Sequence, residues 1–378
     1  MRRRFESAII GLAAAAFASF LPGRSTNAAE PPEVAIEQET ELMTLRGTNA
    51  DPVGEEAVKI NRGWNWSVAY FALGQSQFWS DEFERAGYRI QRNSETKSHR
   101  LLSPTGKRLV SGDFETCQTE IDRVAADEGL PPHAREVVIC LHGLCRTRGS
   151  MASIARTIEE ETGFEAINIG YASSREPIDA HAATLERMLA RMPEVERVHF
   201  VGHSMGNLVV RRFLARRASG VSTATKPEIG RIVMIAPPNQ GSRVAGFFAK
   251  NPLFGMIWGK SGKEIAGWTS QLQRELEIPD GVEFGIIAGT NDWGQGYNPL
   301  LSGNDDLIVS VEETKLPGAA DFRATPALHS FIMHDRSVKQ LAVRFLQTGL
   351  FGAPEEALPL PKAIGVAEAQ AASAEERR

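Results

Sequence analysis

The segment Gly202-His203-Ser204-Met205-Gly206 places a serine midway between two glycines. The apolar run Val198-His199-Phe200-Val201 precedes it, and Asn207-Leu208-Val209-Val210 opens a helical stretch after it. A G-x-S-x-G turn between a strand and a helix bends the backbone sharply enough to expose the serine hydroxyl, which is the geometry of an acyl-transfer nucleophile. A serine at such a turn can also serve only as a helix N-cap. The strand on one side and the helix on the other favour the nucleophile. Acyl transfer further needs backbone N–H groups aimed at the developing oxyanion. One is the N–H of Met205, directly after the serine. The other is expected where Val137-Val138-Ile139-Cys140-Leu141 runs into His142-Gly143-Leu144, with Leu144 as the donor and His142 shaping the loop.

A serine nucleophile needs a base, and after a G-x-S-x-G elbow its partners follow in the order serine, acid, histidine. Only two of the eight histidines, His329 and His334, come after Ser204. His329 follows the loop Thr325-Pro326-Ala327-Leu328 and is the expected base, whereas His334 beside Asp335 reads as solvated or capping. Between serine and base stand Asp280, Asp292, Asp305, Asp306 and Asp321. Asp280 precedes its strand and sits at the wrong end of the sheet. Asp306 is preferred because the apolar run after it can seat it rigidly; Asp292, just beyond the strand Phe284–Ala288, comes second and Asp305 third. The acid would hold the histidine tautomer and stabilise the imidazolium. Neither a metal nor an organic cofactor is required by this chemistry.

The elements that must position these groups alternate. Apolar strands are expected at Val137–Leu141, Ala166–Ile169, Val198–Val201, Ile232–Ile235 and Phe284–Ala288, with helices at Met151–Glu161, Ile178–Met192, Met205–Arg217 and Ile265–Leu276. Continuous apolar strands alternating with helices predict a parallel sheet covered on both faces, with its chemistry beyond the carboxyl ends of the strands. Before this region the chain suggests a hairpin, Tyr88-Arg89-Ile90 against Arg108-Leu109-Val110, and then a helix after Asp113 carrying Phe114, Cys117, Ile121 and Val124. About 45 residues separate Ala236 from Val282, more than one crossover helix needs. They include Phe247, Phe248, Leu253, Phe254 and Trp258, an aromatic, glycine-broken stretch suited to a lid or acyl pocket, or to a helix packed on the body. Trp64, Trp66, Tyr70, Phe71, Phe78 and Trp79 read as core, with contact to lipid or the lid as the alternative.

The 378 residues are 42% hydrophobic and 24% charged, an ordinary globular composition. With 42 Lys and Arg against 47 Asp and Glu, the net charge of −5 argues against a nucleic-acid partner. Arg2-Arg3-Arg4, the apolar run from Ala8 to Leu21 and the small residues through Ala28 read as a secretory signal, so the mature protein is expected in the periplasm or outside the cell. Three cysteines, Cys117, Cys140 and Cys145, permit one bridge at most, and Cys140 reads as a buried hydrophobe. The expected organisation is a signal at 1–28, a mobile segment at 29–44, an extension at 45–135 packed on the core, a catalytic domain at 136–351 with a lid-like insertion at about 243–276, and a disordered tail at 352–378.

These residues together resemble the α/β-hydrolase superfamily and, within it, the bacterial triacylglycerol lipase-like branch. The resemblance rests on His142-Gly143, Gly202-His203-Ser204-Met205-Gly206, Pro238-Asn239-Gln240-Gly241-Ser242, Asp306-Leu307-Ile308-Val309 and His329-Ser330-Phe331-Ile332-Met333. It covers about Val137 to Phe351. It implies the α/β-hydrolase fold and a triad of Ser204, Asp306 and His329, favouring Asp306 over Asp305. That branch often has glycine after the acid, where Leu307 stands here. The implied activity is hydrolysis of carboxylic esters, with an ester or lipid as substrate and contact with a lipid interface open to it. Amide or thioester hydrolysis and acyl transfer would use the same residues, and a binding protein could retain the fold without catalysis.

Overall fold

In the computed structural model, the residues described are 75–220, 227–249, 252–268, 270–291 and 294–362. The signal segment, Trp64, Trp66, Tyr70, Phe71 and Asp292 lie outside them, as do the side chains of Leu253 and Phe254. Two sheets organise the described chain. The first has four antiparallel strands in sequential order: β1 (Trp79–Arg85), β2 (Tyr88–Asn93), β3 (His99–Leu102) and β4 (Arg108–Gly112). The expected hairpin partners do not pair with each other, because His99–Leu102 lies between them. Polar sequence conceals two of these strands. In Trp79–Arg85 the residues Ser80, Asp81 and Glu82 are buried, and their polarity answers hydrogen-bond partners on the body of the protein rather than water. Helix α1 (Phe114–Glu128) packs on the other face through Cys117, Ile121 and Val124, against Phe83, Ile90 and Leu101. Asp113 caps its start by accepting from Thr116 N–H, and Gly129 at φ 64° ends it.

The second sheet has six parallel strands in the order β10-β9-β8-β7-β5-β6: β5 (Glu136–Leu141), β6 (Glu165–Ile169), β7 (Arg197–His203), β8 (Glu228–Ile235), β9 (Phe284–Thr290) and β10 (Asp321–Pro326). Successive side chains of a strand point to opposite faces. Val137, Ile139 and Leu141 accordingly pack with α3 (Ile178–Ala190) and α4 (Met205–Ala218), while Val138 and Cys140 pack with α2 (Ala152–Thr162) and α9 (Arg336–Thr348). Burial on both faces is why these strands read as unbroken apolar runs. β10 escapes that signature because it is an edge strand, and its buried Asp321 instead accepts backbone N–H groups from Phe322, Phe351 and Leu358. Past Phe351, where Ala, Glu and Pro predict fraying, the chain stays tied to the body as far as Leu360, which exchanges backbone hydrogen bonds with Gly318 and Ala319.

The region after β8 also departs from expectation. Helix α5 (Arg243–Phe248) is followed by α6 (Pro252–Ala266) and α7 (Ser270–Glu275), so the single helix expected over Ile265–Leu276 is interrupted after Ala266, where Gly267 closes the turn by donating to Lys263. α6 is itself broken at Gly259 (φ 64°, ψ −153°). The short α8 (Val311–Thr314) carries a capping box between Ser310 and Glu313. All three cysteines are buried and unbridged, and burial pushes the Cys140 and Cys145 thiols up to about 12, which leaves them inert as nucleophiles.

The small sheet is fastened to the large one at the end of β6. Asp81 N–H donates to Gly170 O at 2.8 Å, Gly170 N–H returns a bond to the Asp81 carboxylate at 2.6 Å, and Ala172 N–H donates to Ser80 Oγ at 3.1 Å. A second clasp is His133, whose Nδ1 meets Glu165 Oε1 at 2.6 Å and whose Nε2 meets Glu84 O at 2.7 Å. Both partners accept, so the ring satisfies both only as the imidazolium. Burial opposes that charge, but the Glu165 carboxylate and the Glu84 carbonyl outweigh it and hold His133 above its ordinary value, while His133 and Ala134 N–H hold Glu165 below its own against burial. A raised histidine stabilises the fold below its unfolded value of about 6.5 and loses that contribution as pH rises through the folded value. The carboxylate's share is present above about 4.3 and is lost as pH falls through the depressed value. His133→Gln is therefore expected to cost more stability at about pH 6 than at about pH 9 in urea unfolding. An equal cost at both would show that the ring is not charged in the fold.

Candidate active site

β7 delivers its last residue into a tight turn, and α4 starts at once. Ser204 sits in that turn at φ 52° and ψ −122°, a left-handed backbone that a serine adopts only under constraint. Ser204 N–H donates to Ile235 O at 2.9 Å, and the Asn207 amide reaches back to Ser204 O at 3.0 Å and Ile235 O at 3.3 Å. The strained residue is thus pinned between β7 and β8, with its hydroxyl turned out at the carboxyl edge of the sheet. His329 follows β10, and its Nε2 lies 2.9 Å from Ser204 Oγ. On the far side of the ring, Nδ1 lies 2.6 Å from Asp306 Oδ2. A carboxylate can only accept, so Nδ1 carries the proton and Nε2 presents a lone pair to the serine hydroxyl.

Asp306 is fully buried and aimed by its own loop. Its second oxygen accepts Ile308 N–H at 3.0 Å and Val309 N–H at 2.7 Å, while its carbonyl accepts His329 N–H at 2.9 Å. That loop requires Leu307 at φ 89°, which glycine would adopt freely and which leucine holds at a cost of about 1–3 kcal/mol. The neighbouring Asp305 is equally buried but faces away, accepting N–H groups from Tyr297, Asn298 and Leu307. His334 is exposed at the end of the short 3₁₀ turn Ile332–His334, and the cap of α9 is Asp335, not this histidine.

The strand-end turn after β5 lies against the serine. A Cβ on Gly143 would stand 3.2 Å from Ser204 Cβ and 3.0 Å from His203 Nδ1, so any side chain here would push the neighbours back by a few tenths of an ångström. Among the described residues, the N–H groups of Leu144 and Met205 donate to no protein acceptor, which leaves both available to an oxyanion. His142 holds the turn: its Nδ1 donates to Gly143 O at 2.9 Å, its Nε2 accepts Tyr171 N–H at 3.3 Å, and its ring stacks on Tyr171 at 4.1 Å. Tyr171 hydroxyl closes the loop by donating to His142 O. Burial pushes His142 down to about 4. Burial, followed by the charges of His329 and Arg146, holds His203 well below its ordinary value too. Both are neutral rings at physiological pH, and His203 Nε2 donates to His329 O at 3.0 Å, fixing the base from behind.

Of the insertion residues, Phe247 is 44% exposed on α5 with its ring edge-on to Phe248 at 5.5 Å, and Trp258 is half-buried in α6. Leu253 and Phe254 lie on the same helical segment. Two apolar side chains that sequence reasoning passed over flank His329 itself: Leu328 is 38% and Phe331 50% exposed. Asn207, His203 and Tyr171 were likewise unmarked, and nothing in their spacing announces a hydrogen bond to a residue distant in sequence. The insertion is held at several places, two of which bear on its helix breaks. Arg211, fully buried, donates to Leu276 O at 2.7 Å, Gln273 O at 3.3 Å and Asn239 O at 3.1 Å. At the other place Lys260 N–H donates to Ser174 O at 3.1 Å, beside Gly259. A Cβ at 259 would fall 1.6 Å from that carbonyl, so Gly259→Ala must displace the segment. The backbone conformation adds about 1–3 kcal/mol. A lower melting temperature and faster proteolysis within 243–276 are expected, and an unchanged melting curve would show that Gly259 does not anchor it.

The six-stranded parallel sheet with helices on both faces has the α/β-hydrolase fold, with the candidate site at its carboxyl edge. Residues 163–282 match the model of a family described as alpha/beta hydrolase of unknown function, DUF900. No curated protein matches the chain. Among solved structures it is similar to the lipase BlEst2 of Bacillus licheniformis in propeptide form, at 15% identity over 54% of this chain and 48% of that one, with a TM-score of 0.44. It is similar also to the lin2722 gene product of Listeria innocua, at 16% identity over 57% of this chain and 94% of that one, with a TM-score of 0.40. The phospholipase PlaB from Legionella pneumophila matches at 18% identity over 48% of this chain and 45% of that one, with a TM-score of 0.39. The chain thus spans about half the length of the first and third.

Proposed function

We propose that the protein is an exported serine hydrolase that cleaves carboxylic esters through Ser204, His329 and Asp306. The observation that carries this reading is the unbroken line from Ser204 Oγ through His329 to Asp306 Oδ2, with contacts of 2.9 and 2.6 Å. His329 Nε2 takes the hydroxyl proton as Oγ attacks the ester carbonyl. Leu144 and Met205 N–H receive the oxyanion, and Asp306 stabilises the imidazolium without taking its proton. The imidazolium then protonates the leaving alkoxide, and water, activated by the same ring, releases the acid. The exposed side chains of Leu328 and Phe331 beside the base, with Phe247, supply apolar surface suited to an acyl chain and support a lipase or esterase substrate. Export is proposed from the basic, apolar and small-residue run through Ala28.

The test is hydrolysis of p-nitrophenyl esters from short to long acyl chains, with Ser204→Ala as the blank. Turnover above the blank is expected, and the preferred chain length separates esterase from lipase. No turnover of any ester above the blank would overturn the ester reading in favour of an amide, a thioester or a binding role.

A further inference from the structure

A cavity of about 440 Å³ lies where the small sheet meets the body, with His142 and Tyr171 in its wall and Ser204 not among its lining residues. Three arginines line it: Arg89 from β2, and Arg146 and Arg148 from the loop after β5. Arg89 is the unusual one. It is only 6% exposed, and among the described residues its Nε has no hydrogen-bond partner and no carboxylate forms an ion pair with it. Arg148 likewise has no ion pair among the described residues, and burial, then the charge of Arg89, holds it below its ordinary value. The carboxylates in reach, Asp81 and Glu84, offset only part of the charge of the three arginines. Asp81 is occupied by Gln91 Nε2 at 2.7 Å and by Gly170 N–H at 2.6 Å, and burial holds the Glu84 carboxyl above its ordinary value. Water can satisfy a lone donor, but a buried Arg89 beside a half-buried Arg148 leaves an excess of positive charge that a bound anion would balance.

The wall also offers an acceptor. Asn168 lines the cavity with its Nδ2 committed to Arg148 O at 2.8 Å, which leaves Oδ1 buried and unpartnered. Guanidinium groups from three arginines around one cavity, with an asparagine amide in its wall, suit an oxyanion that also carries a hydroxyl. Guanidinium favours phosphate through paired N–H donors.

We propose that this cavity is a phosphate site, taking inorganic phosphate or a phosphate monoester, with Arg89 and Arg148 as its principal ligands. The site is separate from Ser204, and its occupancy does not depend on the hydrolase reading. Its volume exceeds what a single phosphate needs, leaving room for the group that carries it. The carrier is either a soluble metabolite or a lipid headgroup.

The experiment is thermal unfolding and calorimetric titration of the Ser204→Ala protein with inorganic phosphate and with glycerol 3-phosphate, against chloride at matched ionic strength. Saturable stabilisation by the phosphates and not by chloride is expected. Arg148→Gln, half-buried and outside the serine machinery, should weaken binding about tenfold or more, the size of one lost charge-assisted contact, while melting normally without phosphate. Arg89→Met should weaken it at least as much. Vesicles carrying phosphatidic acid that compete for the bound phosphate would identify a headgroup as the source, and absence of competition would identify a soluble phosphate. Stabilisation no greater than that by chloride, or phosphate binding unchanged in Arg148→Gln, would overturn the proposal.

Discussion

Ser204→Ala is expected to lower the kcat for ester hydrolysis by about 10⁶-fold, to the level left by substrate binding and the two backbone N–H donors alone. The size follows from the geometry: among the described residues Oγ is the one hydroxyl at hydrogen-bond distance from His329 Nε2, and no buried cysteine can substitute for it. Because nucleophile and base act as one unit, His329→Ala should cost about as much, and the double variant should lose little beyond either single one. Additive losses in the double variant would mean that the two residues act in separate steps. The fold should survive Ser204→Ala, since alanine keeps Cβ and relieves no contact but the one to His329.

Asp306→Asn is expected to lower kcat by about 10⁴-fold with little change in KM. An asparagine amide would donate to Nδ1, forcing the ring proton onto Nε2, where it faces Ser204 Oγ and removes the base. The buried loop keeps its shape because Ile308 and Val309 N–H can still bond the amide oxygen. Asp305→Asn provides the contrast. Its carboxylate accepts backbone N–H groups from Tyr297, Asn298 and Leu307, so its loss should lower the melting temperature more than it lowers turnover. If Asp305→Asn and Asp306→Asn exchanged these effects, the assignment of the acid would be wrong.

The residues of the site were legible in the sequence where the information is local. A glycine-flanked serine between an apolar strand and a helix specifies its own backbone, and chain order selects His329 from the two later histidines. The parallel sheet was legible for a related reason, since strands buried on both faces are mostly apolar along their whole length. What stayed hidden is held by polar contacts distant in sequence. Trp79–Arg85 looks like a surface segment until Asp81 meets Gly170, and Asp321–Pro326 looks like a loop until it pairs with β9 at the edge. The choice between Asp306 and Asp305 depends on the turn at Leu307, whose positive φ points one carboxylate at His329 and leaves the other to the loop. Leucine at that position hides the turn that glycine would have signalled. His203 and Asn207 could be read as elbow residues, but not as the groups that brace His329 and the serine backbone.

The central claim is that Ser204 is a nucleophile activated by His329. Its most direct measurement is intact-mass and peptide analysis after treatment with a serine-directed fluorophosphonate, which reacts only with an activated hydroxyl. A single adduct on the peptide containing Ser204, formed in the parent and absent in both Ser204→Ala and His329→Ala, is the predicted result. An adduct elsewhere, or equal labelling of Ser204 without His329, would contradict the account.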